Sequence, residues 1–382
     1  MLTSAGCAAR RARLWSRLPD DIEWALVTEP AHLVYFANFL PSPFVFNSQG
    51  ARGVLLLGRD GTSVLIADNV QQPFLDAAHA AEKIAPVWYR CIESARHRGT
   101  LLIESVLERL RNATGHRFAC EPASCPAGLI DGFRAVRSNL ALTDIDPVVR
   151  ELRRAKDPDE VALIRRSLQA ATAGLKAAMS QVHPGMTEFD VYRLVQRVAG
   201  EAAGTHVLLY GDFVSGPRCE QGGGPPSDRV VEAGDLLLLD FSAVIHGYRG
   251  DFCNTFVCDG RPTSRQRELF DACYAALEAG ERTLRAGTRC RDVDAAVRNS
   301  LAKRNLADRI PHHTGHGIGL GHPEPPFLVP ESSETLIAGD VVTLEPGVYI
   351  PGVGGMRYER DYLITANGCE SLSDHPIGIE AR

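Results

Sequence analysis

The chain has 382 residues, enough for two domains that each bury a core of their own. Its hydrophobic content of 45% and charged content of 23% are those of an ordinary globular protein, and the net charge of −6 gives no reason to expect a nucleic-acid partner. The sequence contains no run near the roughly 20 apolar residues that a membrane-spanning helix requires, so we expect no membrane partner.

The N-terminal segment is rich in arginine, with Arg10, Arg11, Arg13 and Arg17 but no apolar run behind them. This is not the pattern of a secretory signal, and we expect a frayed, solvated leader rather than a transit peptide. The ten cysteines are scattered along the chain without paired zinc-finger spacing, which predicts reduced, largely buried thiols and a cytoplasmic location.

Residues 1–150 alternate short strands with helices and predict an N-terminal α/β domain. Arg59-Asp60-Gly61 joins two apolar runs and is typical of a hairpin turn. The segment has no evident catalytic constellation. Its predicted elements are the two hairpin strands, a helix and a further strand: Gly53–Leu57, Thr62–Ala67, Leu101–Leu110 and Phe118–Cys120.

A second domain, 151–382, begins with a strong helix-start signal. Asp157 is predicted to be the N-cap, Pro158 the first helical residue and Glu160 the capping-box partner. Apolar residues then recur at steps of three and four. Gly185 ends this unit, and Thr187 is predicted to cap a helix that reaches about Ala199.

Two later segments, 233–251 and 338–359, resemble each other. In each, a turn leads into an apolar strand that ends on an acid, and a second strand carries another acid: Asp240 and Asp251 in the first, Glu345 and Glu359 in the second. Helices are predicted between them, at Arg265–Leu284 and Asp292–Lys303. We interpret this as an internal duplication that predicts two hairpins related by a pseudo-two-fold axis, with helices outside.

These acids need cations. Asp240 follows four leucines, so its carboxylate is predicted to be buried, and an unpaired buried charge is costly. Arg357 could pair with one acid as a purely structural partner. Four acids on two related hairpins fit a metal site better.

A glycine-rich loop supplies the nitrogen ligand that such a site would use. It contains three histidines within five residues: His312, His313 and His316. Four carboxylates and the His316 imidazole suit two divalent ions, with manganese favoured and iron, cobalt or zinc as alternatives. Two such ions activate a bridging hydroxide and polarise a carbonyl, so the sequence predicts metal-assisted hydrolysis of an amide.

The residues resemble those of the pita-bread metallopeptidases, which include aminopeptidase P, prolidase and methionine aminopeptidase. The resemblance covers nearly the whole chain. The five ligands occur in the family's order, within the motifs Leu-Leu-Leu-Leu-Asp240, Gly-Tyr-Arg-Gly-Asp251, Gly-His316-Gly-Ile-Gly, Leu-Glu345-Pro-Gly and Arg-Tyr-Glu359.

The resemblance also narrows the branch. The stretch from Arg154 to Glu160 is similar to the linker behind a creatinase-like N-terminal domain, and the retained ligands argue against creatinase itself. It implies a prolidase- or aminopeptidase P-like enzyme, and a homodimer by analogy. In that case Glu345 would be the general base, His312 would contact the substrate, and Arg357 and Tyr349 would support the site.

Two departures from the family concern the substrate. A histidine is expected ahead of Pro226-Ser-Asp-Arg, but Gly222-Gly223-Gly224 stands there, which predicts open space where an imidazole would lie. A second histidine is expected seven positions after His316, where the chain has Pro323; His322 precedes it and is either its substitute or a surface residue.

Three functions are therefore considered. The first is a peptidase that cleaves Xaa-Pro bonds of short peptides. The second is a hydrolase of another small amide, such as an N-acyl amino acid or a compatible solute, which the missing histidine favours. The third is a non-catalytic peptide-binding module, which the five retained ligands disfavour. Metal content separates the third from the others, and a substrate screen separates the first two.

Overall fold

The computed structural model describes residues 1–43, 52–113, 115–137 and 139–381, which form two compact units with a boundary between Arg153 and Arg154. Within these ranges, we find no helix with the length and apolarity to cross a bilayer.

The first unit is a mixed six-stranded sheet with helices. The sheet has the order β4-β3-β2-β1-β5-β6; β2 is antiparallel to β1 and β3, and the other pairs are parallel. The helices are α1 Ser4–Arg17, α2 Pro30–Ala37, α3 Gln72–Ala77, α4 Arg98–Arg109, α5 Ala127–Val136 and α6 Asp146–Leu152. The strands are β1 Trp24–Val27, β2 Gly53–Gly58, β3 Ser63–Ala67, β4 Glu82–Ile84, β5 Arg117–Cys120 and β6 Ala141–Asp144. The predicted hairpin, helix and strand all occur within one or a few residues of their expected bounds.

The arginine-rich N-terminus is not a frayed leader, so that expectation was wrong. It forms α1, whose Cys7, Arg10 and Leu14 are buried. Arg10 Nη1 donates to Tyr35 O at 3.3 Å, and Arg11 Nη1 donates to Phe36 O at 2.6 Å. Both carbonyls belong to the last turn of α2, where the helix leaves acceptors unpaired, so the arginines satisfy this helix end.

The second unit places four helices around antiparallel strands. The helices are α7 Pro158–Gln181, α8 Glu188–Ala203, α9 Ser264–Glu281 and α10 Cys290–Ala302. The strands are β7 Leu208–Ser215, β8 Leu236–Ile245, β9 Tyr248–Val257, β10 Gly315–Gly317, β11 Glu324–Leu328, β12 Val341–Leu344, β13 Gly347–Ile350, β14 Gly354–Arg357, β15 Arg360–Ile364 and β16 Cys369–Ser371. Asp157 and Glu160 form the predicted capping box of α7, and Thr187 caps α8.

The first acid-bearing segment is a long hairpin inside the three-stranded sheet β7-β8-β9. Helix α7 lies directly on it: Ser167 Oγ donates to Tyr248 O at 3.0 Å. Gly250 makes this approach possible, because a Cβ at this position would overlap with Leu168. This contact therefore fixes the backbone of β9 at Gly250, the residue before Asp251.

The second acid-bearing segment is also a hairpin, but its ladder is interrupted. Strand β12 pairs with β15 up to Leu344–Arg360, and β13 pairs with β14 from Gly347–Arg357 onwards in the same register. Pro346 has no N–H to continue the ladder, and Glu345 and Glu359 lie at the break. Glu345 N donates instead to Thr314 O at 2.9 Å, and Glu359 N to Cys253 O of β9 at 3.1 Å. The pseudo-two-fold relation of the hairpins remains a prediction.

All ten cysteines lie in the described ranges and are free thiols; eight are buried, Cys91 is exposed and Cys369 is intermediate. Burial raises the pKa of the buried Cys219 thiol to about 12, so it stays protonated and behaves as a small apolar side chain. The buried thiols fit the expected structural role.

Candidate metal centre

A cavity of about 220 Å³ opens in the second unit beside the two hairpins. The structure brings the five sequence-predicted ligands to its wall: Asp240, Asp251, His316, Glu345 and Glu359. They come from three separate stretches of the second unit: Asp240 lies on β8, Asp251 on β9 and His316 on β10, and Glu345 and Glu359 lie together at the break in the second hairpin.

The strand register explains how the two aspartates meet. Asp240 on β8 lies opposite Cys253, and Asp251 on β9 lies opposite Ser242, so the acids are diagonal neighbours on one face of the sheet. Glu345 and Glu359 face the same cavity from the break in the second hairpin. Their distance along the chain is large, and only the contact of the two hairpins brings the four carboxylates together.

The donor atoms form three overlapping groups, and within each group they lie within 4.8 Å of one another. The groups are Asp240 with Asp251 and Glu359, His313 with His316 and Glu345, and Asp251 with His316 and His322. Such a mixed set of carboxylate oxygens and imidazole nitrogens suits divalent first-row metals.

His316 is oriented as a metal ligand would be. Its Nδ1 is 2.9 Å from Gly317 O, which assigns the proton to Nδ1 and leaves the Nε2 lone pair directed into the cavity. Nε2 lies 3.5 Å from Glu345 Oε1. Gly315 and Gly317 permit this position, since a Cβ at either would overlap with the backbone of Thr343 or Pro325.

The electrostatics of these carboxylates favour added positive charge at the site. Burial, with the neighbouring Asp251 and Asp240, raises the pKa of Glu359 well above its usual value. Burial raises the pKa of Asp240 to about 8, although Arg357 opposes the shift. Asp361 is also buried, and its Oδ1 has no hydrogen-bond partner among the described residues. The residues present therefore fit divalent cations, which would offset the cost of these buried carboxylates.

Arg357 supports the site rather than facing free space. Its guanidinium forms an ion pair with Asp240, donates to Asp212 Oδ2 at 2.7 Å and to Gly222 O at 2.9 Å, and reaches Tyr349 Oη at 3.0 Å. The structural pairing with one acid, considered as an alternative to a metal, is thus present at Asp240. Arg357 forms no ion pair with the other three carboxylates, which are those of Asp251, Glu345 and Glu359.

The structure separates the roles of the neighbouring histidines. His312 Nε2 lies 3.0 Å from Tyr349 Oη, and its Nδ1 is 3.9 Å from Glu345 Oε2. His313, for which the sequence predicted no separate role, lines the cavity, and its Nε2 is 3.0 Å from Glu345 Oε1. Burial alone would raise the pKa of Glu345, but the hydrogen bond from His313 and the nearby charges lower it to about 2.

His322 also lines the cavity. Its Nε2 is 2.6 Å from Asp251 Oδ2, and its ring centroid is 4.9 Å from that of His316. Burial would lower the pKa of His322, but the bond to Asp251 outweighs this and raises it. His322 is therefore an exposed residue at the cavity wall that contacts the predicted ligand Asp251, and its role towards the substrate stays a prediction.

The open space expected at Gly222-Gly223-Gly224 is absent at Gly223, whereas a Cβ at Gly222 would meet only Tyr349, at 3.7 Å. A Cβ at Gly223 would overlap with the carboxylate of Asp212, whose Oδ1 accepts from Gly224 N at 2.9 Å. Asp212 lines the cavity from β7, opposite Asp240. Asp212 lies within the apolar stretch from Val207 to Val214, just as Asp240 follows four leucines. The sequence pattern that identified Asp240 as a candidate could therefore have identified Asp212 as well.

A cavity lined by acids and histidines on paired hairpins, in a chain that also has a mixed α/β N-terminal unit, defines a pita-bread metallopeptidase with a creatinase-like N-terminal domain. The chain belongs to metallopeptidase family M24, which residues 162–366 match, and residues 10–155 match the creatinase/prolidase N-terminal domain.

Known relatives agree with this class. An uncharacterized peptidase of Bacillus subtilis is 30% identical over 295 residues, covering 76% of this chain and 82% of the relative. A Xaa-Pro dipeptidase from Bacillus anthracis is 25% identical, with a TM-score of 0.84 and coverage of 98% and 99% of the two chains. The prolidase from Pyrococcus horikoshii OT3, at 23% identity, has a TM-score of 0.80 and coverage of 98% and 100%, and shows the shared fold.

Proposed function

We propose that this metallopeptidase hydrolyses the Xaa-Pro bond of short peptides with two divalent ions held by Asp240, Asp251, His316, Glu345 and Glu359. The observation that carries the proposal is the convergence of these five side chains, from distant stretches of the second unit, on one cavity wall. The likeness to a Xaa-Pro dipeptidase over nearly the whole chain supports the substrate class.

When bound, the ions would supply a polarised carbonyl and a water of lowered pKa. Glu345 is the base in this proposal: it takes a proton from the attacking water at a carboxylate oxygen and returns it to the departing nitrogen. His313 holds Glu345 Oε1 at 3.0 Å and so orients this carboxylate. Arg357 and Tyr349 fix the surrounding wall through their mutual 3.0 Å contact.

His322 is the group that we assign to the substrate. Its ring is about one-third exposed and lines the cavity beside Asp251. An imidazole N–H there can donate to the carbonyl of the scissile bond, which stabilises negative charge as it develops. His312 acts less directly, since its ring contacts Tyr349 and approaches Glu345.

The filled space at Gly223 weakens the case for another small amide. That alternative depended on a bulky group entering the place of a missing imidazole, and the carboxylate of Asp212 occupies it.

The proposal is tested by a hydrolysis screen of Xaa-Pro dipeptides against N-acyl amino acids, with manganese, cobalt and zinc added separately to metal-free protein. We expect Xaa-Pro cleavage and about two bound ions per chain. Asp251→Asn should lose bound metal and activity together, whereas Asp308→Asn, on an exposed turn, should lose neither. Cleavage of N-acyl amino acids without any Xaa-Pro cleavage would contradict the proposal.

The finer properties belong to the same proposal. Manganese is the favoured metal, because the donor set is rich in carboxylates and contains one well-oriented imidazole. A homodimer and a cytoplasmic location follow from the resemblance to the family and from the reduced thiols. Elemental analysis, light scattering and cell fractionation check these three points separately.

A further inference from the structure

Arg249 is a cation on the cavity wall that forms no ion pair with a carboxylate of the described residues. Its side chain is half-buried and lines the cavity, with the guanidinium 5.2 Å from the centre of the Tyr210 ring. Its Nε is buried without a hydrogen-bond partner, and no carboxylate of the described ranges forms an ion pair with it. A buried donor without an acceptor is costly, so the site is built for a group that arrives with the ligand.

The other arginine of the cavity provides the contrast. Arg357 is 9% exposed and already holds Asp212, Asp240, Tyr349 and the carbonyl of Gly222. Its donors are engaged, and a substrate would have to displace them. Arg249 has the same five donors and none of these partners, so of these two arginines it is the one available to an incoming anion.

The sheet register shows where Arg249 lies relative to the metal ligands. Arg249 and Asp251 are two residues apart on β9, so both side chains leave the same face of the sheet. The Arg249 row is therefore one step, roughly 7 Å, from the row that contains Asp251. The backbone at this point is also held, since Arg249 N donates to Gly319 O at 2.9 Å.

The opposite end of the same floor is acidic. Asp212 on β7 pairs with Asp240 in the row on the far side of the Tyr210–Ser242–Asp251 row. The cavity floor thus runs from a guanidinium, past the predicted metal ligands, to a carboxylate. These two ends lie four residues apart along the strands, roughly 13 Å, whereas an extended dipeptide is at most roughly 7 Å long. When its scissile carbonyl lies at the predicted metal ligands, the free carboxylate of a dipeptide is therefore within reach of Arg249, one row away, but not of Asp212.

We propose that Arg249 is a specificity-determining residue that binds the free α-carboxylate of the substrate, so that the enzyme selects dipeptides over longer or C-terminally blocked peptides. The inference rests on the proposed Xaa-Pro peptidase function. The guanidinium receives the carboxylate through paired N–H donors, and the Tyr210 ring, 5.2 Å away, contributes a cation–π contact to the same guanidinium.

The test compares three substrates of the metal-loaded, full-length protein: Ala-Pro, its C-terminal amide Ala-Pro-NH₂, and the tripeptide Ala-Pro-Ala. We expect wild-type kcat/KM for Ala-Pro to exceed that for the amide by about 100-fold, because the amide lacks the charged partner of Arg249. Arg249→Gln should lower kcat/KM for Ala-Pro by a similar factor, mostly through KM, and change the amide by less than about 3-fold. The kcat/KM of Arg249→Lys for Ala-Pro should lie between those of the wild type and Arg249→Gln, because lysine keeps the charge but cannot donate two parallel hydrogen bonds to a carboxylate.

Arg165→Gln, at an exposed ion pair with Glu370, is the matched control and should leave all three rates unchanged. The amide rate within Arg249→Gln reports whether that variant is folded. Equal wild-type rates on Ala-Pro and its amide would overturn the role of Arg249, as would an equal loss on all three substrates in Arg249→Gln. Absence of cleavage of every peptide by the wild type would instead overturn the proposed function, and this inference with it.

Discussion

The carboxylate of Asp212 lies in the space that any side chain at position 223 would need, so Asp212 and Gly223 depend on each other. Asp212 also accepts from Gly224 N at 2.9 Å and from Arg357 Nη2 at 2.7 Å. A single carboxylate therefore fixes the glycine loop and connects it to the arginine beside the predicted metal ligands. Neither residue can be changed without affecting the other.

Gly223→Ala should destabilise the protein by about 1–3 kcal/mol, because the new methyl group overpacks against Asp212. Denaturant unfolding of metal-free protein measures the effect. Gly368→Ala is the control, since a Cβ there meets no atom within 4 Å, and it should change stability by less than about 0.5 kcal/mol. In the Asp212→Ala background the cost of Gly223→Ala should shrink; simple additivity of the two changes would show that the residues are not coupled.

Glu345→Gln should reduce turnover by at least about 100-fold while the fold survives, because the amide keeps the volume and the oxygen facing His313 but cannot accept the proton. Circular dichroism and metal content are measured beside kcat, which separates a lost base from a lost ligand. Glu370→Gln, exposed at the surface, is the control. Wild-type-like turnover in a metal-loaded Glu345→Gln protein would remove Glu345 from the mechanism.

His322→Ala should lower kcat/KM on Xaa-Pro dipeptides by about 100-fold, since it removes the donor that we assign to the substrate carbonyl. His183→Ala is the comparison, because His183 is exposed and its Nδ1 lies 2.9 Å from the neighbouring Pro184 O. Unchanged turnover in His322→Ala would mean that its position beside Asp251 has no catalytic use.

His375 should make the stability depend on pH. Its ring is buried and stacks on Phe252 at a centroid distance of 4.1 Å. Burial, with the nearby charge of Arg360, lowers the pKa of His375 from 6.5 to about 3. Between pH 6.5 and 3, the unfolded chain therefore binds a proton at His375 that the folded protein does not bind. The free energy of unfolding falls as the pH drops from 6.5 towards 3.

The slope from this one group is at most about 1.4 kcal/mol per pH unit. His375→Phe keeps the ring stack and removes the proton site, so its unfolding free energy should fall less steeply between pH 6.5 and 5 than that of the wild type. The denaturant midpoint at several pH values measures the difference. Parallel pH profiles for the two proteins would show that His375 carries no such linkage.

The order and chemistry of the predicted metal-binding residues could be inferred from the sequence because each has a local signal. Asp240 ends a run of leucines, Glu345 precedes a proline that breaks a strand, and His316 lies among glycines that admit no side chain. Strand and helix bounds followed from periodicity and caps, so both hairpins and the start of α7 were predictable.

Contacts between distant segments were decided only by the tertiary structure. The sequence expected empty space at Gly223, but the register of β7 against β8 puts Asp212 there. The arginine-rich N-terminus was predicted to be solvated, but the last carbonyls of α2 accept hydrogen bonds from Arg10 and Arg11. Local pattern determines which residues carry the chemistry, whereas strand register and helix packing determine which of them face each other, because those depend on free energies summed over the whole fold.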